Sequence, residues 1–141
     1  MDTSSLVKIY HREVGTPEVL ALYQNSECNL IISELCRIEF TSTVYRKHRE
    51  NRLNFKAFKA LLNKFQEDLD SRYEVLRFSS LVTVEAETLL HRYAEKHSLK
   101  SLDSLQFAFF KAYGEATDLF VCSDSKLSDL VKREGFQVMI P

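Results

Sequence analysis

Four short apolar runs, CNLIIS, YEVLRF, DLFVCS and FQVMI, are separated along this chain by longer stretches whose apolar residues recur at helical spacing. Runs this brief, bounded by polar residues, read as strands rather than helices. Strands separated by helices favour parallel pairing, with helices covering both faces of the sheet. Ligands of such α/β sheets collect at the carboxyl ends of the strands, and Asp124 follows one of these runs. The stretch TSSLVKIYHRE reads as a short helix starting just after Asp2, and TPEVLALYQNS as a second, capped by Thr16 with Pro17 at its first position. A third spans about Ser33 to Glu50, and Asn54 caps FKAFKALLNKFQEDLDS, with Phe55, Phe58, Leu61, Leu62 and Phe65 on its core stripe. The stretches VTVEAETLLHRYAEKH, SLDSLQFAFFKAYGEA (capped by Ser101) and SKLSDLVKREG complete the helices. Only three glycines and two prolines occur in 141 residues, so linkers and low-complexity segments have little room, and residues 1–141 are expected to form one domain.

Charge narrows the function. A net charge of −1 excludes binding nucleic acid by bulk charge alone, so any such contact needs a local patch. RKHRENR supplies one, with Arg46, Lys47, Arg49 and Arg52 as candidate RNA or partner contacts; its plain reading is a solvated helix end suited to the negative end of the macrodipole. Cys28, Cys36 and Cys122 lack CxxC spacing and read as buried reduced thiols, which points to a cytoplasmic location. No apolar run reaches the roughly 18–20 residues that span a bilayer, so no membrane association is expected. The histidines lack the spacing of a zinc site, and no GxSxG, Walker or GxGxxG motif occurs.

Carboxylates remain. Asp2, Glu39, Asp103 and Asp124 are spread over the whole chain. Asp2 and Asp124 each suit a helix N-cap, and Asp103 suits a first helical turn. Glu39 has no such explanation: its helical neighbours Leu35, Cys36, Ser42 and Thr43 include no base. Carboxylates collected from distant segments into one cleft are what a hard divalent cation requires.

Taken in order, MDTSSLVKIY, ISELCRIEF, LKSLDSLQFA and FVCSDSKL closely resemble the four acidic motifs of PIN-domain proteins, and the likeness continues through the closing helix to FQVMIP. Within that superfamily the chain is most similar to VapC-type toxins of toxin–antitoxin pairs. The resemblance implies a three-layer α/β/α sandwich with a central parallel sheet. It also implies an endoribonuclease using one or two Mg²⁺ or Mn²⁺ ions held by Asp2, Glu39, Asp103 and Asp124, with Thr3, Ser4 and Ser123 as supporting hydroxyls. Its implied partners are an RNA substrate, a cognate antitoxin covering the cleft, and a second copy in a homodimer. The chemistry is consistent, because divalent ions acidify water, neutralise phosphoryl charge and align an in-line attack. Without metal, the clustered carboxylates should repel RNA. Two other functions fit the same motifs: a non-catalytic PIN-like module binding RNA or protein, and a PIN nuclease of RNA or DNA processing without an antitoxin. One departure from the family pattern stands out. A full apolar strand precedes the first aspartate in PIN domains, whereas here only Met1 does, so the first strand is expected to be short or truncated. The Met1 amine is then expected to compete with metal for Asp2 and to weaken metal affinity.

Overall fold

The computed structural model describes residues 1–115 and 117–141. Along the chain run α1 (Thr3–Tyr10), α2 (Thr16–Gln24), β1 (Leu30–Ser33), α3 (Glu34–Arg49), α4 (Phe55–Ser71), β2 (Tyr73–Leu76), α5 (Ser80–His97), α6 (Ser101–Tyr113), β3 (Leu119–Val121), α7 (Ser125–Arg133) and β4 (Gln137–Met139). The elements follow the periodicity of the sequence in order and type. Asp2, Asn54 and Asp124 cap α1, α4 and α7 by accepting from the backbone N–H of Ser4, Ala57 and Leu127.

Two expected caps move. Gly15, not Thr16, caps α2, with φ at 88°. A Cβ there would also fall 2.1 Å from the Pro141 carbonyl carbon, so only glycine fits. Thr16 instead donates from its hydroxyl to the Lys8 carbonyl. Lys100, not Ser101, caps α6, and that helix ends at Tyr113 with Gly114 as its C-cap; of its expected continuation to Ala116, that last residue lies outside the described residues.

The expected three-layer sandwich with one central parallel sheet is not what forms. Among the described residues seven helices dominate, and the strands make two separate parallel pairs, β1 with β2 and β3 with β4. The reason lies at the seam between the pairs. The Met1 ammonium donates to the Ile31 carbonyl on the β1 side at 2.8 Å, and the Asp2 N–H donates to the Val121 carbonyl on the β3 side at 2.8 Å. Joining the pairs takes a strand, and a two-residue bridge makes one bond to each side. The Met1 amine is hydrogen-bonded to a strand carbonyl, and the Asp2 charge still acts on it from nearby.

Each strand pair is backed by its own apolar core. Leu6, Ile32, Phe40, Val44, Phe58 and Phe65 pack around β1 and β2, while Val82, Leu89, Phe107, Phe120, Leu127 and Val131 pack around β3 and β4. Burying each of these side chains contributes roughly 1.5–3 kcal/mol. No helix among the described residues is long and apolar enough to cross a membrane.

Candidate functional site

The N-terminal segment that bridges the two strand pairs also opens a polar cleft of about 520 Å³, and all four sequence-selected acids line it. Asp2 arrives as the cap of α1, Glu39 from the second turn of α3, Asp103 from the first turn of α6 and Asp124 as the cap of α7. Three of these positions are helix N-termini, where the macrodipole favours a negative charge. Asp2 is buried, Glu39 and Asp103 are half-buried, and Asp124 is exposed.

Three of the acids keep one oxygen in reserve. Glu39 Oε2 accepts from the Thr3 hydroxyl at 2.5 Å and the Gln106 amide at 2.6 Å. Asp2 Oδ2 accepts from the Ser4 N–H at 2.9 Å and the Ser4 hydroxyl at 2.5 Å. Asp124 Oδ1 accepts from the Leu127 N–H at 2.9 Å. The second oxygen of each carries no bond of this kind among the described residues. Burial pushes the Glu39 carboxyl up, Thr3 and Gln106 pull it down, and the charges of Asp2 and Asp103 push it up further. Burial likewise raises Asp103, reinforced by Asp124 and Asp2 and opposed by Lys100. Glu39 and Asp103 therefore feel the other acids across the cleft, although Asp2 and Asp103 lie 101 positions apart in sequence.

Thr3 and Ser4 hold the carboxylates of Glu39 and Asp2, respectively. Ser123 sits one step back: its hydroxyl bonds with Ser5, and its N–H donates to the Ser4 hydroxyl. The basic candidates divide. Arg46 and Lys47 line the cleft, with Lys47 buried and its ammonium bonded to Glu13. Arg49 is exposed without lining the cleft, and Arg52 pairs with its neighbour Glu50 at 3.3 Å.

Gln106 was missed in the sequence. Buried at 4 % exposure, it donates to both Glu39 and Thr3 and accepts from Ser33. Its signal was a lone amide in the apolar run LQFAFF, three positions after Asp103. Lys8 was also missed; it is buried on the cleft wall and donates to the Pro141 carbonyl.

Among the described residues no three His, Cys, Asp or Glu side chains form a ready-made metal-ligand group. The donor set nonetheless fits Mg²⁺ chemistry. That ion dehydrates reluctantly, keeps several waters and needs only one or two protein carboxylates. A roomy cleft walled by carboxylates with spare oxygens suits such a hydrated ion better than a dry cage does. The chain matches no protein-family model, and no curated protein matches it.

Proposed function

We propose that this chain is a metal-dependent endoribonuclease of the PIN type, acting as the toxin of a VapC-like toxin–antitoxin pair. The observation that carries the reading is the convergence of Asp2, Glu39, Asp103 and Asp124 on one cleft, with spare oxygens and with Glu39 and Asp103 held above the usual carboxylate range. Carboxylates that repel one another and make no salt bridge among the described residues are poised to gain a cation. Asp2, Asp103, Asp124 and the free oxygen of Glu39 would hold one or two Mg²⁺ or Mn²⁺ ions, directly or through water. When bound, such an ion acidifies water and neutralises charge on the phosphoryl group. Thr3 and Gln106 fix the orientation of Glu39, and Ser4 fixes that of Asp2. Exposed Arg46 on the rim offers a cation to the RNA backbone.

The proposed antitoxin would cover the acidic cleft. A homodimer is supported by a groove between α3 and α4 lined by Ile38, Leu62, Leu69 and Phe78, two of which are exposed. Free thiols at Cys28, Cys36 and Cys122 suit a cytoplasmic site of action. A second reading, a non-catalytic module taking a basic peptide in the acidic cleft, is favoured by the lack of a ready-made ligand group among the described residues.

An RNA cleavage assay with Mg²⁺ or Mn²⁺ separates the two. Wild type should cleave, and Asp103→Asn should lose at least about 100-fold, since even partners behind metal ligands cost up to that factor. Inactivity of both proteins would reject the nuclease and leave the binding module.

A further inference from the structure

The acid cleft changes sign along its length. Helices α1 and α3 pack side by side as two of its walls, and the Thr3–Glu39 bond joins them at one end. From there the lining residues advance one turn at a time: Ser4 to Lys8 on α1, and Glu39 to Thr43 to Lys47 on α3. At the helical rise, Lys47 stands about 12 Å along α3 from Glu39. One end of the cleft holds the four acids. The other holds Lys8, Arg46 and Lys47 against the carboxylate of Glu13.

The cations of this basic end are unequally satisfied. Lys47 is buried, and its ammonium is bonded to Glu13. Lys8 is also buried, yet it donates to the Pro141 carbonyl and makes no salt bridge among the described residues. Glu13 comes from the loop between α1 and α2, and its side chain is 35 % exposed against 9 % for Lys47. Its N–H is anchored on the Thr16 hydroxyl, so the carboxylate can rotate outward while the backbone stays in place. Burial pushes the Glu13 carboxyl up, but the Lys47 bond and charge, aided by His11 and Lys8, bring it below its ordinary value. Glu13 is thus an anion held by the combined charge of Lys47 and Lys8, and any anion in its place meets both.

We propose that Lys8 and Lys47 form a subsite for a backbone phosphate of the RNA strand, which Glu13 fills until the strand displaces it. The identity of the strand rests on the nuclease reading above. With one phosphate at the acid end, the length of the cleft matches roughly three more of a stacked strand at about 3.4 Å each. Glu13 keeps the buried Lys47 neutralised in the absence of RNA. The same contact weakens RNA binding, because the strand must break it.

The test is binding of a labelled uridine hexanucleotide to the full chain with Mg²⁺ over a range of salt, in an Asp103→Asn background that spares the strand. Glu13→Gln should bind the hexamer about fivefold tighter, since Lys47 keeps a hydrogen-bond partner but loses its anionic rival. The slope of log affinity against log salt should steepen by about 0.7, because no freed carboxylate takes a cation back. Adding Lys47→Met to Glu13→Gln should reverse both changes. An ion pair of purely structural role would move folding stability and leave the salt slope alone. Unchanged binding and slope in Glu13→Gln, or the same gain with Lys47→Met present, overturns the proposal. Titration with inorganic phosphate adds an arm: phosphate binding without any response of the hexamer means an isolated anion site, and the strand subsite falls. Cleavage of the hexamer with Asp103 intact separates this inference from the reading beneath it. The expected binding response without cleavage supports the subsite and rejects the nuclease, whereas cleavage without the response rejects the subsite alone.

Discussion

Asp68 and Asp103 are both carboxylates on helices, withdrawn from bulk water, and the protein treats them in opposite ways. Asp68 is 1 % exposed and saturated: Tyr10 and Tyr23 donate to Oδ2 at 2.7 and 2.9 Å, and Lys64 donates to Oδ1 at 2.7 Å. Asp103 is half-buried among other acids, and its nearest helpful charge is Lys100. A carboxylate whose acceptor capacity is filled by the fold is a fixture of the core. One with spare capacity, raised by burial and by its neighbours, has room to accept a further partner. The two differ in burial, and they differ further in the count of donors.

The largest effect expected from this contrast is on stability. Asp68→Ala strands the Tyr23 hydroxyl and thins the bonding of Tyr10, and should cost about 2–3 kcal/mol by urea denaturation. Asp103→Asn should stay within about 0.5 kcal/mol of wild type or gain slightly, since it removes repulsion. Equal losses in the two variants would break the comparison. Gln106 tests it from the donor side. Gln106→Ala deprives Glu39, Thr3 and Ser33 of partners, and should cost about 1–2 kcal/mol and weaken Mg²⁺ binding about tenfold, read by metal titration of the folded variant. Unchanged metal affinity would reduce Gln106 to a packing role.

The smallest effect is in the pH dependence. Glu39 and Asp103 have folded pKa values above their ordinary 4.5 and 3.8, so the native state binds more protons than the unfolded chain in the range just above those values. These two groups therefore lower stability at neutral pH, and the loss is recovered as pH falls through the raised folded values toward 4.5 and 3.8. Saturating Mg²⁺ or the Glu39→Gln, Asp103→Asn double variant should flatten that part of the curve. A wild-type profile that is already flat there would show that the acids do not interact.

Much of the local structure was legible in advance. Helix caps at Asp2, Asn54 and Asp124 depend on backbone groups two or three positions away, within reach of sequence reasoning. Thr16 failed as a cap because its hydroxyl oxygen accepts from the Glu13 N–H upstream while its proton goes to the Lys8 carbonyl, eight positions back. The single sheet failed for a stronger version of the same reason. Whether β1 joins β3 depends on what lies between them, and that space is settled by Met1 and Asp2 bonding to Ile31 and Val121. The candidate acids were legible as unexplained charges. Gln106, their partner, was not, because an amide among phenylalanines looks the same in sequence whether it faces a cleft or a void.

By itself, then, the amino-acid order determined which segments are helix or strand, where several helices begin, and which carboxylates lack a local explanation. All of these arise from contacts within a few residues, where propensity and periodicity act. Only the tertiary structure decided that the strands form two pairs rather than one sheet. It alone brought Asp2, Glu39, Asp103 and Asp124 to one cleft, filled the bonding of Asp68, and set Glu13 against Lys47. Those outcomes turn on bonds such as Met1 to Ile31 and Asp2 to Val121, and no local pattern encodes which distant carbonyl an N–H will find.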